Sequence, residues 1–75
     1  MFTVKKFTTG QEILRIKLSE KKSAVWRCTS SKPDYVIMKG DVPYFSTNRL
    51  TGKKELEVYA KKSTAQKQAD WYNAQ

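Results

Sequence analysis

The chain has no histidine, a single cysteine and only seven acidic residues, and each shortage removes a class of chemistry. Without histidine there is no ordinary zinc site and no imidazole general base. A lone Cys28 closes no intramolecular disulfide, which fits a reducing, cytoplasmic setting. No stretch approaches the run of about eighteen apolar residues that a membrane span needs, and the start, Met1 to Phe7, lacks the apolar core of a secretion signal, so the chain reads as complete and unprocessed. Gly-rich phosphate loops, metal-ligand clusters and dinucleotide fingerprints are also missing. The expectation is a non-enzyme with no catalytic residue, no metal and no cofactor. A histidine-free ribonuclease using Lys, Arg, Tyr and a carboxylate is left open by the composition, since cationic side chains can stabilise a phosphorane-like transition state.

What the chain does have is positive charge. Fifteen Lys and Arg against seven Asp and Glu give a formal net charge of +8 over 75 residues. That excess repels itself in a folded state and favours a polyanionic partner: nucleic acid, an acidic protein surface or an anionic membrane. A chain this short is expected to be a single domain, residues 1–75, burying only about 60% of its unfolded surface. Function is therefore expected on an outer surface rather than in a deep pocket.

Hydrophobic alternation predicts mostly strands. Phe2 and Val4 open one that ends at Thr8-Thr9-Gly10; Leu14, Ile16 and Leu18 alternate with Ile13, Arg15 and Lys17 in a second; Ala24, Trp26 and Cys28 mark a third. The second and third are expected to form a hairpin with a three-residue loop, Glu20 to Lys22. That register pairs Leu18 with Ala24, Ile16 with Trp26 and Leu14 with Cys28, and sets Arg15 directly across from Arg27. Opposed like charges destabilise a strand pair. Either an anionic partner meets them, or Glu12, Asp70 or a strand bearing Glu55 and Glu57 neutralises them. Cys28, beside Trp26, is expected to be a buried small hydrophobe.

Ser30 to Asp34 has turn composition, and Tyr35 to Met38 is a short strand. Pro43 confines the run Val42 to Ser46 to an edge or a bulge. Thr47 to Lys54 is a hairpin loop in which Gly52 supplies a positive φ. From Glu55 to Lys61, Leu56, Val58 and Ala60 alternate with Glu55, Glu57, Tyr59 and Lys61. The period then changes: Ala65, Ala69 and Tyr72 share one helix face, and Ser63-Thr64-Ala65-Gln66 fits a capping box. The expected fold is α+β: a small, mostly antiparallel sheet of about five strands with one C-terminal helix packed on one face. That face is expected to carry Leu14, Ile16, Trp26, Leu56 and Val58.

Basic residues interleaved with aromatics are the strongest functional signal. Arg15, Lys17 and Arg27 on an outer sheet face, Arg49, Lys53 and Lys54 on the loop, and Lys61 and Lys62 at the helix start, with Lys67 beyond, are expected to track a phosphate backbone. Tyr59, on the face opposite Leu56 and Val58, is expected to stack an unpaired base, with Tyr35, Tyr44 and Trp71 as further rings or as core. No RNP aromatic motif, GxxG loop or Cys/His finger is present, so backbone-directed contact to RNA or single-stranded DNA is favoured over base reading in duplex DNA. The alternative partner is an acidic host protein, with Arg49 and Leu50 at the loop tip as interface anchors. In its closing run, Leu56-x-Val58-Tyr59-Ala60-Lys61-Lys62-Ser63-x-Ala65-x-x-x-Ala69-x-Trp71-Tyr72, the chain resembles small accessory proteins of lytic bacteriophages. That resemblance implies a compact protein that binds and inhibits a host enzyme, defence factor or ribonuclease toxin by occupancy, in the host cytoplasm.

Overall fold

Every other element of the structure, a computed structural model describing residues 1–75, is arranged around one strand. β4 (Asp34–Lys39) carries Val36, Ile37 and Met38, three consecutive buried residues. Successive strand side chains point to opposite faces, so burial of all three means that both faces of the sheet are covered. β1 (Phe2–Phe7) runs antiparallel along one side of β4, with Val4 opposite Ile37 and Lys6 opposite Tyr35. Two short strands share the other side: β5 (Val42–Pro43) against Met38 and Lys39, and β8 (Val58–Tyr59) against Tyr35 and Val36. Between them the Ile37 N–H donates to the Glu57 carbonyl at 3.0 Å and the Tyr44 N–H to the Ile37 carbonyl at 2.9 Å.

β5 and β8 are thus the splayed feet of one hairpin, whose upper part pairs β6 (Phe45–Thr47) with β7 (Lys54–Leu56). Pro43, lacking an N–H, pairs with Met38 and leaves β5 no further strand neighbour, as its chemistry requires. At the tip, the Asn48 carboxamide oxygen accepts from the Leu50 N–H, and Gly52 takes a φ of +72°. This is the conformation expected of it, in the left-handed region that glycine enters without a steric penalty.

Two layers cover the sheet. On one face sits the hairpin of β2 (Glu12–Lys17) and β3 (Ser23–Arg27); Ile13 and the following Cys28 pack there with Phe7, Val36 and Met38. On the other lies α1 (Lys62–Asn73), whose Ala65 and Ala69 are fully buried against β1 and β4. Near its end, Tyr72 packs on Phe2 and Tyr44, with ring centroids 4.9 and 5.2 Å away.

The expected α+β architecture with a C-terminal helix is therefore present, in eight short strands. Three details differ. The β2–β3 register is displaced by two residues from the expected one: Leu14 faces Trp26, Arg15 faces Val25 and Ile16 faces Ala24. A three-residue loop wants a left-handed residue, and no non-glycine residue in this chain has positive φ. The turn instead spans Leu18 to Lys22, closed by bonds from the Leu18 and Ser19 N–H groups to the Lys22 carbonyl at 2.9 and 3.1 Å. A bulge at Ile13 then turns both Ile13 and Leu14 inward while Ile16 and Leu18 stay exposed.

Secondly, α1 does not pack on the Leu14, Ile16, Trp26, Leu56 and Val58 face. Val58 pairs with Val36 on the hairpin side, where Trp26 meets Phe45 at 5.4 Å, and α1 covers the side of Tyr59 and Glu57. Thirdly, the capping box does not form. The N-cap is Lys61, with no side-chain cap, and Ser63 lies inside the first turn.

Candidate nucleic-acid interface

The surface charge follows from where the acids go. Glu12 stands across from Arg27 and ion-pairs with Arg15 at 2.8 Å and with Arg27 at 3.9 Å. Asp34 accepts from the Ser30 hydroxyl at 2.9 Å and lies 3.4 Å from the Cys28 thiol. Glu55 is approached by the Asn48 amide, and Asp70 accepts from Gln66. Both ion pairs of the protein use Glu12, so every lysine, and Arg49 with them, is exposed and has no carboxylate within salt-bridging distance.

Glu57 is, with Asp34, one of the two acids that are not exposed. It sits where the hairpin splays, and its carboxylate accepts from the Tyr59 hydroxyl at 2.5 Å and from the Tyr72 hydroxyl at 2.6 Å. Burial pushes this carboxyl up, but the hydrogen bonds from Tyr59, Tyr72 and Ser46 outweigh burial and hold it below its ordinary 4.5. Burial, and then the hydrogen bond to the Glu57 carboxylate, raise both phenols above their ordinary value. The cluster ties α1 to β8, and its carboxylate has no lysine within salt-bridging distance.

The nine residues expected to touch nucleic acid separate into three groups. Arg15, Lys17 and Arg27 lie on the β2–β3 hairpin, where the two arginines share the single Glu12 carboxylate and do not stand opposite each other as expected, Arg15 facing Val25 and Arg27 facing Glu12. Arg49, Lys53 and Lys54 lie at and beside the tip of the β6–β7 hairpin, with Leu50 96% exposed among them. Lys61 and Lys62 begin α1, on the opposite face of the sheet from the β2–β3 hairpin. Tyr59 is not an outward platform: it pairs with Tyr35 on the helix side and its hydroxyl is held by Glu57. Tyr44 belongs to the cluster with Phe2 and Tyr72, Trp71 remains 54% exposed beside Tyr72, and Cys28 is buried as expected.

One concavity joins these surfaces to a ring. A cleft of about 290 Å³ is lined by Val4, Lys6, Tyr35 and Lys62. Lys6 and Tyr35 are cross-strand partners on the helix-side face, and Lys62 enters from the first turn of α1, which contains no acidic residue. A phenol and two lysines free of carboxylate partners lining one cleft are suited to an unstacked base with its phosphate. Lys6 is not among the candidates expected from the sequence, because only the β1–β4 register brings it beside Tyr35; the two-residue period shared with Phe2 and Val4 assigns it a face but no neighbour.

No group of His, Cys, Asp and Glu side chains is placed to hold a metal ion, and no helix is long and apolar enough to cross a membrane. Comparison with protein-family models, with curated proteins and with solved structures finds no match to this chain.

Proposed function

We propose that the protein is a non-enzymatic regulator that binds nucleic acid, RNA in preference, through its phosphate backbone and acts by occupancy as an inhibitor. The observation that carries the reading is the set of exposed lysines without acidic partners, combined with a cleft whose lining includes Tyr35, Lys6 and Lys62. Phosphates meet Lys6, Lys61 and Lys62, and the Tyr35 ring receives a base that is already unstacked, which favours single strands over duplex. Lys53, Lys54 and Arg49 extend the track at the hairpin tip. The likeness to small phage accessory proteins belongs to this proposal: a host ribonuclease toxin or defence factor is the kind of target that such occupancy inhibits.

Fluorescence anisotropy of a labelled single-stranded RNA tests the reading. Affinity is expected to fall with salt at a log-log slope of about 3 to 6, corresponding to four to eight phosphates. Lys62→Glu is expected to weaken binding about tenfold, and Arg15→Ala less, because Arg15 is ion-paired with Glu12 whereas Lys62 has no acidic partner. Absence of binding at about 50 mM salt overturns the proposal.

A second reading has its own observation, the near-complete exposure of Leu50 beside Arg49 on the tip. An apolar anchor ringed by cations suits an acidic host-protein surface. A pull-down from host extract run with and without nuclease separates the two, since a protein complex survives digestion and is weakened by Leu50→Asp.

A further inference from the structure

The outer edge of β1 is closed at both ends and open in the middle. Alternate residues of an antiparallel strand turn both backbone groups to the same side. Met1 bonds inward, its carbonyl accepting from the Gly40 N–H at 3.2 Å, so Phe2, Val4 and Lys6 turn their N–H and C=O groups outward. The outward groups of Phe2 are filled by Asn73: the Phe2 N–H donates to Oδ1 at 2.7 Å and the Phe2 carbonyl accepts from Nδ2 at 2.8 Å. Just past the other end, Gln11 does the same for Thr8, taking its N–H on Oε1 at 3.0 Å and donating its own backbone N–H to the Thr8 carbonyl at 3.0 Å. Outside the ladder with β4, no backbone or side-chain hydrogen bond reaches Val4 or Lys6.

We propose that this window, the backbone of Val4 and Lys6 between Asn73 and Gln11, is a strand-addition site for an extended acidic segment of a partner protein. The inference goes beyond nucleic-acid binding and does not rest on it.

The chemistry of the window selects its occupant. It offers two donors and two acceptors in alternation, which another peptide backbone matches and which phosphates, being acceptors only, do not. A second copy of this chain fits poorly, because antiparallel self-pairing of Val4 with Lys6 sets Lys5 directly against its counterpart Lys5 on a chain of net charge +8. An incoming antiparallel strand places one residue opposite Lys6 and, two positions later, one opposite Val4, both on the cleft side beside Lys62. Opposite-charge and apolar cross-strand pairs are then made by an acidic residue followed, after one residue, by an aliphatic one.

The test uses the full ¹⁵N-labelled chain and a blocked heptapeptide of threonines carrying one glutamate and, two positions on, one valine. At about 90% saturation, amide exchange of Val4 and Lys6 is expected to slow about tenfold, while Thr3 and Lys5, already bonded to β4, change little. Replacing the glutamate by lysine, or N-methylating the two peptide nitrogens that face the window, is expected to weaken binding about tenfold. Four results overturn the proposal. They are no protection of Val4 and Lys6 at millimolar peptide, equal binding of the N-methylated peptide, protection that grows with protein concentration alone, and protection by a short oligouridylate but not by the peptide. Loss of RNA binding in the anisotropy assay leaves it standing.

Discussion

Replacing Glu57 by Gln keeps the shape of the side chain and removes its charge, and the structure sets the size of the effect. Two phenols donate to the carboxylate, at 2.5 and 2.6 Å. The two phenols donate to different oxygens, so in the carboxamide one keeps an acceptor and the other must turn to accept from the NH2; a hydrogen bond to a charged group contributes about 1.5–3 kcal/mol and a neutral one about 0.5–1.5 kcal/mol, so the exchange removes about 1 kcal/mol per bond. Because the carboxylate is only partly buried, solvent screening reduces the pair to about 1 kcal/mol in total. In a domain of this size that lowers Tm by about 4–8 °C near neutral pH, read by circular dichroism.

The pH dependence carries a sign that a packing defect would not reproduce. Glu57 titrates below its ordinary 4.5, so its contribution is complete above that value and is lost as pH falls through the folded-state pKa. Tyr59 and Tyr72 titrate above their ordinary 10.0, so their contribution is complete below that value and is lost as pH rises through the folded-state pKa. The Tm gap between the native chain and Glu57→Gln is therefore flat across neutral pH and closes on both the acid and the alkaline side. A cycle with Tyr72→Phe is expected to show a coupling of about 0.5 kcal/mol or more. A gap that does not vary with pH, together with zero coupling, would refute the assignment of this cluster as the tie between α1 and β8.

Two further substitutions probe the packing and the turn. Ala69 is fully buried where α1 meets the sheet, so Ala69→Leu is expected to destabilise by about 1–3 kcal/mol through overpacking, measured by urea denaturation, with Ala74→Leu at the helix C-cap nearly neutral. Gly52 has a φ of +72° and nothing within 4 Å of where a Cβ would stand, so Gly52→Ala is expected to cost about 1 kcal/mol from backbone strain alone. Gly52→Asn is expected to recover part of that loss, since asparagine tolerates the left-handed region.

The elements of this fold were legible where a single local rule decides them. Gly52 in a hairpin loop, Pro43 at a one-sided strand and Ala65, Ala69 and Tyr72 on the packed helix face all follow from backbone sterics or the helical period, whereas Asp34, expected in the turn, opens β4 opposite Phe7. The β2–β3 register was not legible, for a reason intrinsic to strands. A slip of one residue exchanges the faces and is excluded by the pattern, whereas a slip of two preserves them and is invisible to it. Only turn chemistry separates those registers, and the absence of glycine between Leu18 and Lys22 was the available signal. The side on which α1 packs was hidden in a similar way. Leu56 and Val58 mark an apolar face correctly, yet that face lies on the side of the β2–β3 hairpin, where Trp26 meets Phe45 and Val58 stays partly exposed, and α1 takes the polar one, where Tyr59 and Tyr72 satisfy the Glu57 carboxylate.

The candidate site was legible as a list of charges and illegible as a set of partnerships. Fifteen cations are visible in the sequence; which of them remain unpaired depends on where seven acids are held. The bulge at Ile13 brings Glu12 opposite Arg27, and its one carboxylate is shared between Arg15 at 2.8 Å and Arg27 at 3.9 Å, so it offsets one of their two charges. Glu57, Asp34, Glu55 and Asp70 are instead bonded to neutral side chains. A carboxylate answered by phenols stabilises the junction of sheet and helix without neutralising any lysine. The same arrangement that holds α1 in place therefore keeps Lys6, Lys61 and Lys62 available, so a variant that releases the Glu57 carboxylate would weaken the fold and dilute the basic surface together.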